Sequence, residues 1–395
     1  MPNLIDIVEV AEALESKAVF LAPDRSTVVR NRHSSCRKCT DACLTDAVGA
    51  KDNVLALDNE RCVACGACTT VCPTEALIPL APLDEDLAAS VADAVVASGG
   101  RAVFACARIA SKRKGDPTKF AEVPCLARME ESVLLELAAR GVEDILLVDG
   151  TCATCKFRAC VPGIDATVAS ANQLLAAQGS PIRVERASAF PDDVLLEDAR
   201  SLLGASRRGF FSQAKGTALD AAGKTVEVAF KKTGMANVPS LRDRLRMSDA
   251  GTLPQFNPVR RMHVLDAMDS LGPSVAPEID TRLFGSVHVD AEACSSCGMC
   301  AVFCPTGALR KFDDRATATF GIDHAVADCV HCGCCEAICP KGAIHLANEV
   351  FAPDLVDGHV ERFEMRPQEI VSGKATTVVN KMRKLLVGSK AVNFA

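Results

Sequence analysis

The spacing of its cysteines constrains this chain more than any other feature. Three runs share one pattern, Cys-x2-Cys-x2-Cys-x3-Cys-Pro: Cys62, Cys65, Cys68 and Cys72-Pro73; Cys294, Cys297, Cys300 and Cys304-Pro305; Cys329, Cys332, Cys335 and Cys339-Pro340. A fourth run keeps the register but begins with histidine and lacks the proline: His33, Cys36, Cys39 and Cys43-Leu44. Thiolates are soft ligands that suit iron–sulfur clusters or zinc. Zinc sites usually use two separated Cys-x2-Cys knuckles, whereas three tightly spaced cysteines followed by Cys-Pro is [4Fe–4S] spacing. The first three cysteines of a run then wrap one corner of a cubane, and the fourth is expected to start a helix that crosses to another.

The runs share more than cysteine. Each is followed by a small residue and an aliphatic one (Ala47-Val48, Ala76-Leu77, Ala308-Leu309, Ala343-Ile344), and β-like stretches precede three of them at 54–58, 286–290 and 319–323. This is an internal repeat of strand, cluster loop, helix and strand. Taken in pairs, the runs resemble two-cluster bacterial-type ferredoxin domains of α+β fold. The resemblance implies cross-ligation, the fourth cysteine of each run serving the other cluster of its pair. One C-terminal cluster then takes Cys294, Cys297, Cys300 and Cys339, and the other takes Cys329, Cys332, Cys335 and Cys304. In the N-terminal pair, Cys62, Cys65, Cys68 and Cys43 complete one set. The other has Cys36, Cys39 and Cys72, with His33 in the remaining place. Three outcomes are open there: His33 ligates iron and raises the potential by removing a negative charge, the cluster is [3Fe–4S], or it is missing with His33 a plain loop residue. Cys334, between two ligands, is read as a non-ligand.

Composition sets the class. Hydrophobic residues make up 49% of 395, so real cores are expected. The 21 cysteines fall below the share of a disulfide scaffold, and intracellular metal binding is the better reading. No signal peptide is visible at the N-terminus and no apolar run is long enough to span a bilayer, so a cytoplasmic protein is expected. A net charge of −6 argues against nucleic-acid binding. The charge is uneven: residues 207–262 hold eleven Lys/Arg and four Asp/Glu. That segment reads as a solvated surface or a docking patch for an acidic partner. Ser206-Arg207-Arg208-Gly209-Phe210-Phe211 looks like a twin-arginine signal, but it is internal and no apolar segment follows. Trp and Tyr are both absent.

Between the two pairs the pattern turns to α/β. Helices are expected at Leu4–Lys17, 84–98, 131–140 and 166–178, and strands at 17–21, 101–105, 120–123, 144–149 and 182–186. Strands alternating with helices argue for a parallel sheet. Cys106, Cys125 and Cys152 each follow the C-terminal end of a strand, the edge where such sheets bind ligands. With Cys155 and Cys160 nearby they fit a fifth cofactor, most simply [2Fe–2S]. Buried structural cysteines and a Cys152/Cys155 dithiol are the competing readings. The pieces AVFACAR (102–108), VPCLAR (123–128), ARGVEDILLVDG (139–150) and Cys152 to Cys160 resemble the delta (iron–sulfur) subunit of methyl-viologen-reducing hydrogenase. That resemblance implies a [2Fe–2S] module passing electrons between a hydrogenase or formate dehydrogenase and a heterodisulfide-reductase-like flavoprotein. The family usually has a second cysteine soon after the first; here Ala107, Arg108 and Ile109 follow Cys106.

The expected organisation is an N-terminal ferredoxin-like domain with a leading helix (1–82), a central α/β domain (83–190), a mostly helical basic linker (191–284), a C-terminal two-cluster ferredoxin domain (285–347) and a tail (348–395). No P-loop, Gly-x-Gly-x-x-Gly or HExxH motif is present, and no residue is assigned a catalytic role. The expected function is a multi-cluster electron-transfer subunit of an anaerobic redox complex, catalysis residing in a partner such as a molybdenum enzyme, a hydrogenase or a flavoprotein. The alternatives are a redox enzyme acting at the His33 cluster or the Cys152/Cys155 dithiol, and an iron–sulfur scaffold protein.

Overall fold

The computed structural model describes residues 18–196, 245, 247, 248, 251–314 and 316–365. The expected helix at Leu4–Lys17, the Ser206–Phe211 motif, most of the basic segment and the tail beyond 365 lie outside them.

The N-terminal unit runs β1 (Val19–Leu21), α1 (Thr27–Arg30), α2 (Lys38–Asp41), β2 (Val48–Lys51), β3 (Val54–Leu57), α3 (Ala67–Thr70) and β4 (Leu77–Pro79). β1 pairs antiparallel with β4, Val19 opposite Pro79, and β2 with β3, Val48 opposite Leu57. The sheets close over Val19, Val29, Val48, Leu55 and Leu77.

The central unit continues with α4 (Asp84–Ala97), β5 (Ala102–Cys106), α5 (Ala107–Ala110), β6 (Ala121–Val123), α6 (Glu131–Ala139), β7 (Ile145–Val148), α7 (Val161–Ala177) and β8 (Val184–Ala187). Its four strands form one parallel sheet in the order β6-β5-β7-β8. β5 is buried at every position, as expected of a parallel strand covered by helices. Asp84, Glu85 and Asp86 in the first turn of α4 suit the helix dipole. α7 starts at Val161, five residues before its expected start. Pro162-Gly163 reads as a breaker, but a proline in the first turn loses no intrahelical bond. Asn172 joins α7 to β8 through two hydrogen bonds with the Val184 backbone (2.8 and 2.9 Å).

α8 (Val259–Leu271) packs along α6 and buries Val264, Ala267 and Met268 in the same core. β9 (Glu278–Asp280) leads into the C-terminal unit: β10 (Ser286–Val289), α9 (Met299–Phe303), β11 (Leu309–Asp314), β12 (Thr319–Ala325), α10 (Cys334–Ile338) and β13 (Ile344–Ala347). Its pairings, β10 with β13 and β11 with β12, repeat those of the N-terminal unit. Two further strands fall within the segment that reads from sequence as a tail: β14 (Glu349–Phe351) pairs with β9, and β15 (Val360–Glu364) adds to β12.

His324 on β12 is 0% exposed, and neither ring nitrogen has a hydrogen-bond partner. Burial, helped by the nearby His288, holds its pKa down to about 4. The native state therefore takes the proton later than the unfolded chain does, near 6.5. The contribution of His324 is complete above pH 6.5 and is lost as pH falls towards 4, by about 3 kcal/mol. His324→Phe should flatten the acid limb of the stability-against-pH curve. Superimposable acid limbs for the two proteins would refute this.

Candidate functional site: cysteine loops and a central cavity

Three of the four loops share a backbone. The residue before the second cysteine is left-handed in each: Ala64 (φ 55°), Ser296 (φ 51°) and His331 (φ 52°). A left-handed glycine follows the second cysteine: Gly66 (φ 81°), Gly298 (φ 63°) and Gly333 (φ 70°). These turns curl the loop so that three sulfurs face inward, and the glycine caps the short helix carrying the third cysteine. At Gly66 a β-carbon would also meet the Arg128 backbone at 2.8 Å. The fourth cysteine ends this helix instead of starting one. Proline disfavours a helical conformation in the residue before it, and Cys304 and Cys339 are extended, with ψ of 120° and 113°.

The thiols assemble across the repeats. Burial pushes Cys39 up to about 12, and its neighbours Cys72 and Cys36 push it the same way. Burial also raises Cys62, beside Cys65 and Cys43, and Cys68, beside Cys65, Cys43 and Cys62. In the C-terminal unit Cys300, at about 12, lies near Cys297, Cys294 and Cys339. Burial lifts Cys332 and Cys335 well above their ordinary value, with Cys329 and Cys304 adjacent, and Cys329 reaches about 12. Thiols held this strongly in the neutral form become thiolates when a metal compensates, so loading would release protons.

The donors around these sulfurs fit that chemistry. The backbone N–H groups of Ala47, Ala76 and Ala343 donate to the sulfurs of Cys43, Cys72 and Cys339 (3.2, 3.3 and 3.2 Å). This accounts for the small residue after the runs: these alanines are buried against the sulfur. The hydroxyls of Thr45, Thr74 and Thr306, two positions after a fourth cysteine, lie 3.9, 3.6 and 3.8 Å from its sulfur. Sequence reasoning missed them, although threonine stands two positions after the fourth cysteine in three of the four runs.

The His33 loop is built differently. Arg37 stands where the other loops have glycine, with φ −125°, and Ser35 is not left-handed. His33 is exposed, and its backbone N–H donates to Asn31 Oδ1 (2.9 Å). The structure brings Cys36, Cys39 and Cys72 together and leaves His33 at the surface. His33→Ala separates the outcomes: unchanged iron content and midpoints would make His33 a plain loop residue, and the loss or shift of one midpoint would make it a ligand.

In the central unit, Cys106, Cys125, Cys152 and Cys155 line one cavity of about 480 Å³ with Asp149, Arg108 and Lys156. It opens at the C-terminal edge of the sheet, because Cys106 ends β5, Cys125 follows β6 and the turn after β7 carries Cys152. Burial raises Cys106, and burial with Asp149 takes Cys152 to about 12. Cys160 does not line this cavity. It is buried behind it, with its thiol next to those of both Cys125 and Cys65, an interaction that lowers the pKa of each. The central cavity and the N-terminal unit thus meet through one thiol.

The two ferredoxin-like units also touch. Cys334 is buried, its thiol 3.6 Å from the Phe303 carbonyl, and its neighbours include Arg30, Asn31 and Cys36 of the N-terminal unit. Lys38 Nζ reaches the His331 carbonyl at 3.5 Å. Exposure of a ligand-type cysteine is greatest at Cys297, in the C-terminal unit.

Two family models fall on these loops. Residues 293–343 match the family of 4Fe-4S dicluster domains, and residues 55–78 match the 4Fe-4S binding domain. A stretch of 42 residues is 38% identical to one component of the ion-translocating oxidoreductase complex of Methanosarcina acetivorans, covering 11% of this chain and 16% of that protein. Another of 39 residues is 44% identical to an uncharacterized ferredoxin of Methanocaldococcus jannaschii, covering 10% of this chain and 26% of that protein. The chain thus spans about a sixth and a quarter of these relatives. Among the described residues, no helix is long and apolar enough to cross a membrane. This chain carries two regions of [4Fe–4S] ferredoxin type.

Proposed function

We propose that this chain is a single-file electron relay within a multi-subunit redox complex. Its sites follow one another in the order central cavity; Cys43, Cys62, Cys65 and Cys68; Cys36, Cys39 and Cys72; Cys304, Cys329, Cys332 and Cys335; and Cys294, Cys297, Cys300 and Cys339. A bound cluster would take up and release one electron at each. The observation that carries the reading is the succession of neighbouring thiols across the first three junctions: Cys125 and Cys65 both lie next to Cys160, Cys68 lies beside Cys39, and Cys36 lies beside Cys334. The two ends are the open cavity and the exposed Cys297, so a larger donor and a larger acceptor enzyme would dock there. In this order the His33 site sits mid-chain, not at a terminus.

The Cys152/Cys155 dithiol is less well supported as a reactive centre. The nucleophile in such chemistry is a thiolate, and Cys152 is pushed away from that form. A [2Fe–2S] centre on Cys106, Cys125, Cys152 and Cys155 fits the cavity's donor set better. The test is anaerobic isolation followed by iron and sulfide analysis and EPR of the reduced protein. Signals broadened by mutual spin coupling are expected. Clusters that are absent, or that relax as isolated spins, would end the relay reading.

A further inference from the structure

Arg30 closes α1 with its side chain 1% exposed, where the two ferredoxin-like units meet. Its Nη1 donates to the carbonyls of Asp24 (3.1 Å) and Pro254 (2.8 Å). Its Nε and Nη2 are buried with no hydrogen-bond partner. The guanidinium faces Cys334, Cys304 and Cys332. An arginine cannot shed its charge in a protein, and a buried charge requires compensation. The groups around it that can carry negative charge are the Asp24 carboxylate, the Cys334 thiol and two sulfurs of one ligand set, Cys304 and Cys332. Asn31 adds to this: its Oδ1 accepts the His33 amide, and its buried amide group turns towards Cys334.

The two C-terminal sets differ in the burial of their cation: Lys311, beside Gly298 in the loop of the other set, is exposed, whereas Arg30 is buried. Arg30 faces Cys332 and Cys304, and Arg261 lies near Cys329. The charged neighbours of Cys300, in the other set, are its fellow ligands Cys297, Cys294 and Cys339. Reduction of a cluster adds one electron and no proton, so the site gains one negative charge. A fixed cation favours that state, and so do donors to the sulfurs.

We propose that Arg30 raises the reduction potential of the cluster held by Cys304, Cys329, Cys332 and Cys335, making that site the electron well at the junction of the two halves. The proposal rests on the relay reading. It is tested by EPR-monitored redox titration of the full chain, with Cys332→Ser identifying the signal of that set. Arg30→Gln should move that midpoint alone to more negative potential by a tenfold change or more in the reduction equilibrium, about 59 mV for one electron. Arg30→Lys, which keeps the charge, should recover most of the shift. An unmoved midpoint in Arg30→Gln with iron and sulfide intact overturns the proposal, as does an equal shift in both variants. If Arg30→Gln does not assemble, Asn31→Asp brings a negative charge beside Cys334 and must lower the same midpoint; no shift there overturns it too. A wild-type protein without cluster signals would instead sink the relay reading itself.

Discussion

Alanine at both Cys36 and Cys39 should cut the molecule electrically in two. The double variant keeps the cysteines of the other three [4Fe–4S]-type sets and loses the site between them. One cluster's iron should disappear, with the other signals unchanged. In wild type, electrons supplied at the central cavity should reach the Cys297 set quickly. In the variant the sites up to Cys68 should fill while those beyond Cys304 stay oxidised until a mediator is added. The reason is spatial: Cys36 is the neighbour of Cys334, and Cys39 the neighbour of Cys68. Freeze-quenched EPR after mixing with a one-ended reductant separates the outcomes. Equal filling of both halves at early times would mean that the sites do not lie in series.

Arg260→Leu should lower the stability of the native state by about 3–5 kcal/mol, the range for stripping the partner from a buried charge. Arg260 is buried on α8, and its Nε pairs with Glu130 at 2.8 Å. Its Nη1 donates to the Thr69 carbonyl (2.8 Å), and its backbone N–H donates to Glu75 Oε1 (3.0 Å). Glu130 is buried too, and burial pushes its carboxyl up against the pull of Arg260 and Arg128. Arg128 reaches back to Asp84 and the Pro82 carbonyl, so three parts of the chain meet on two guanidinium groups. Without Arg260, Glu130 keeps its desolvation cost and loses its better partner. Adding Glu130→Gln to Arg260→Leu should therefore recover part of the loss. Unfolding onset and protease resistance of the two variants measure this. A double variant no better than the single one would show that packing, not stranded charge, sets the cost.

The cysteine sets are legible in the sequence because ligand spacing is a local property. So are α4, β5 and β7, whose apolar runs and charged first turn follow directly from residue order. The short helix lies before the fourth cysteine and not after it, a placement that Cys-Pro itself encodes. Gly66, Gly298 and Gly333 carry a further signal: Arg37 breaks their pattern, as His33 breaks that of the cysteines. Other features have no local signature. Nothing around Arg30, Arg128 or Arg260 marks these residues as buried, since burial of a charge depends on partners far away in sequence: Pro254 for Arg30, Asp84 for Arg128, Thr69 for Arg260. Residue order groups Cys160 with its neighbours at the cavity, whereas α7 begins one residue later and keeps it behind the wall, facing Cys65.

β9 and β14 form a clasp. Glu349 stands opposite Asp280, and the Thr281 N–H donates to the Asn348 carbonyl at 2.9 Å. The chain therefore leaves for the C-terminal ferredoxin-like unit and comes back from it at the same spot. Beyond this seam β15 turns back to pair with β12, and Leu253 and Phe256 ahead of it bond to Val302 and Pro305, so the unit also takes parts from outside the seam. Such an arrangement holds the redox module to the rest of the chain at more than one place, the β9–β14 clasp and the β12–β15 pair. A turn joining residues 280 and 349 would therefore leave β15 without its partner strand and Leu253 without the Phe303 face it packs on, so the module cannot be lifted out at one seam alone.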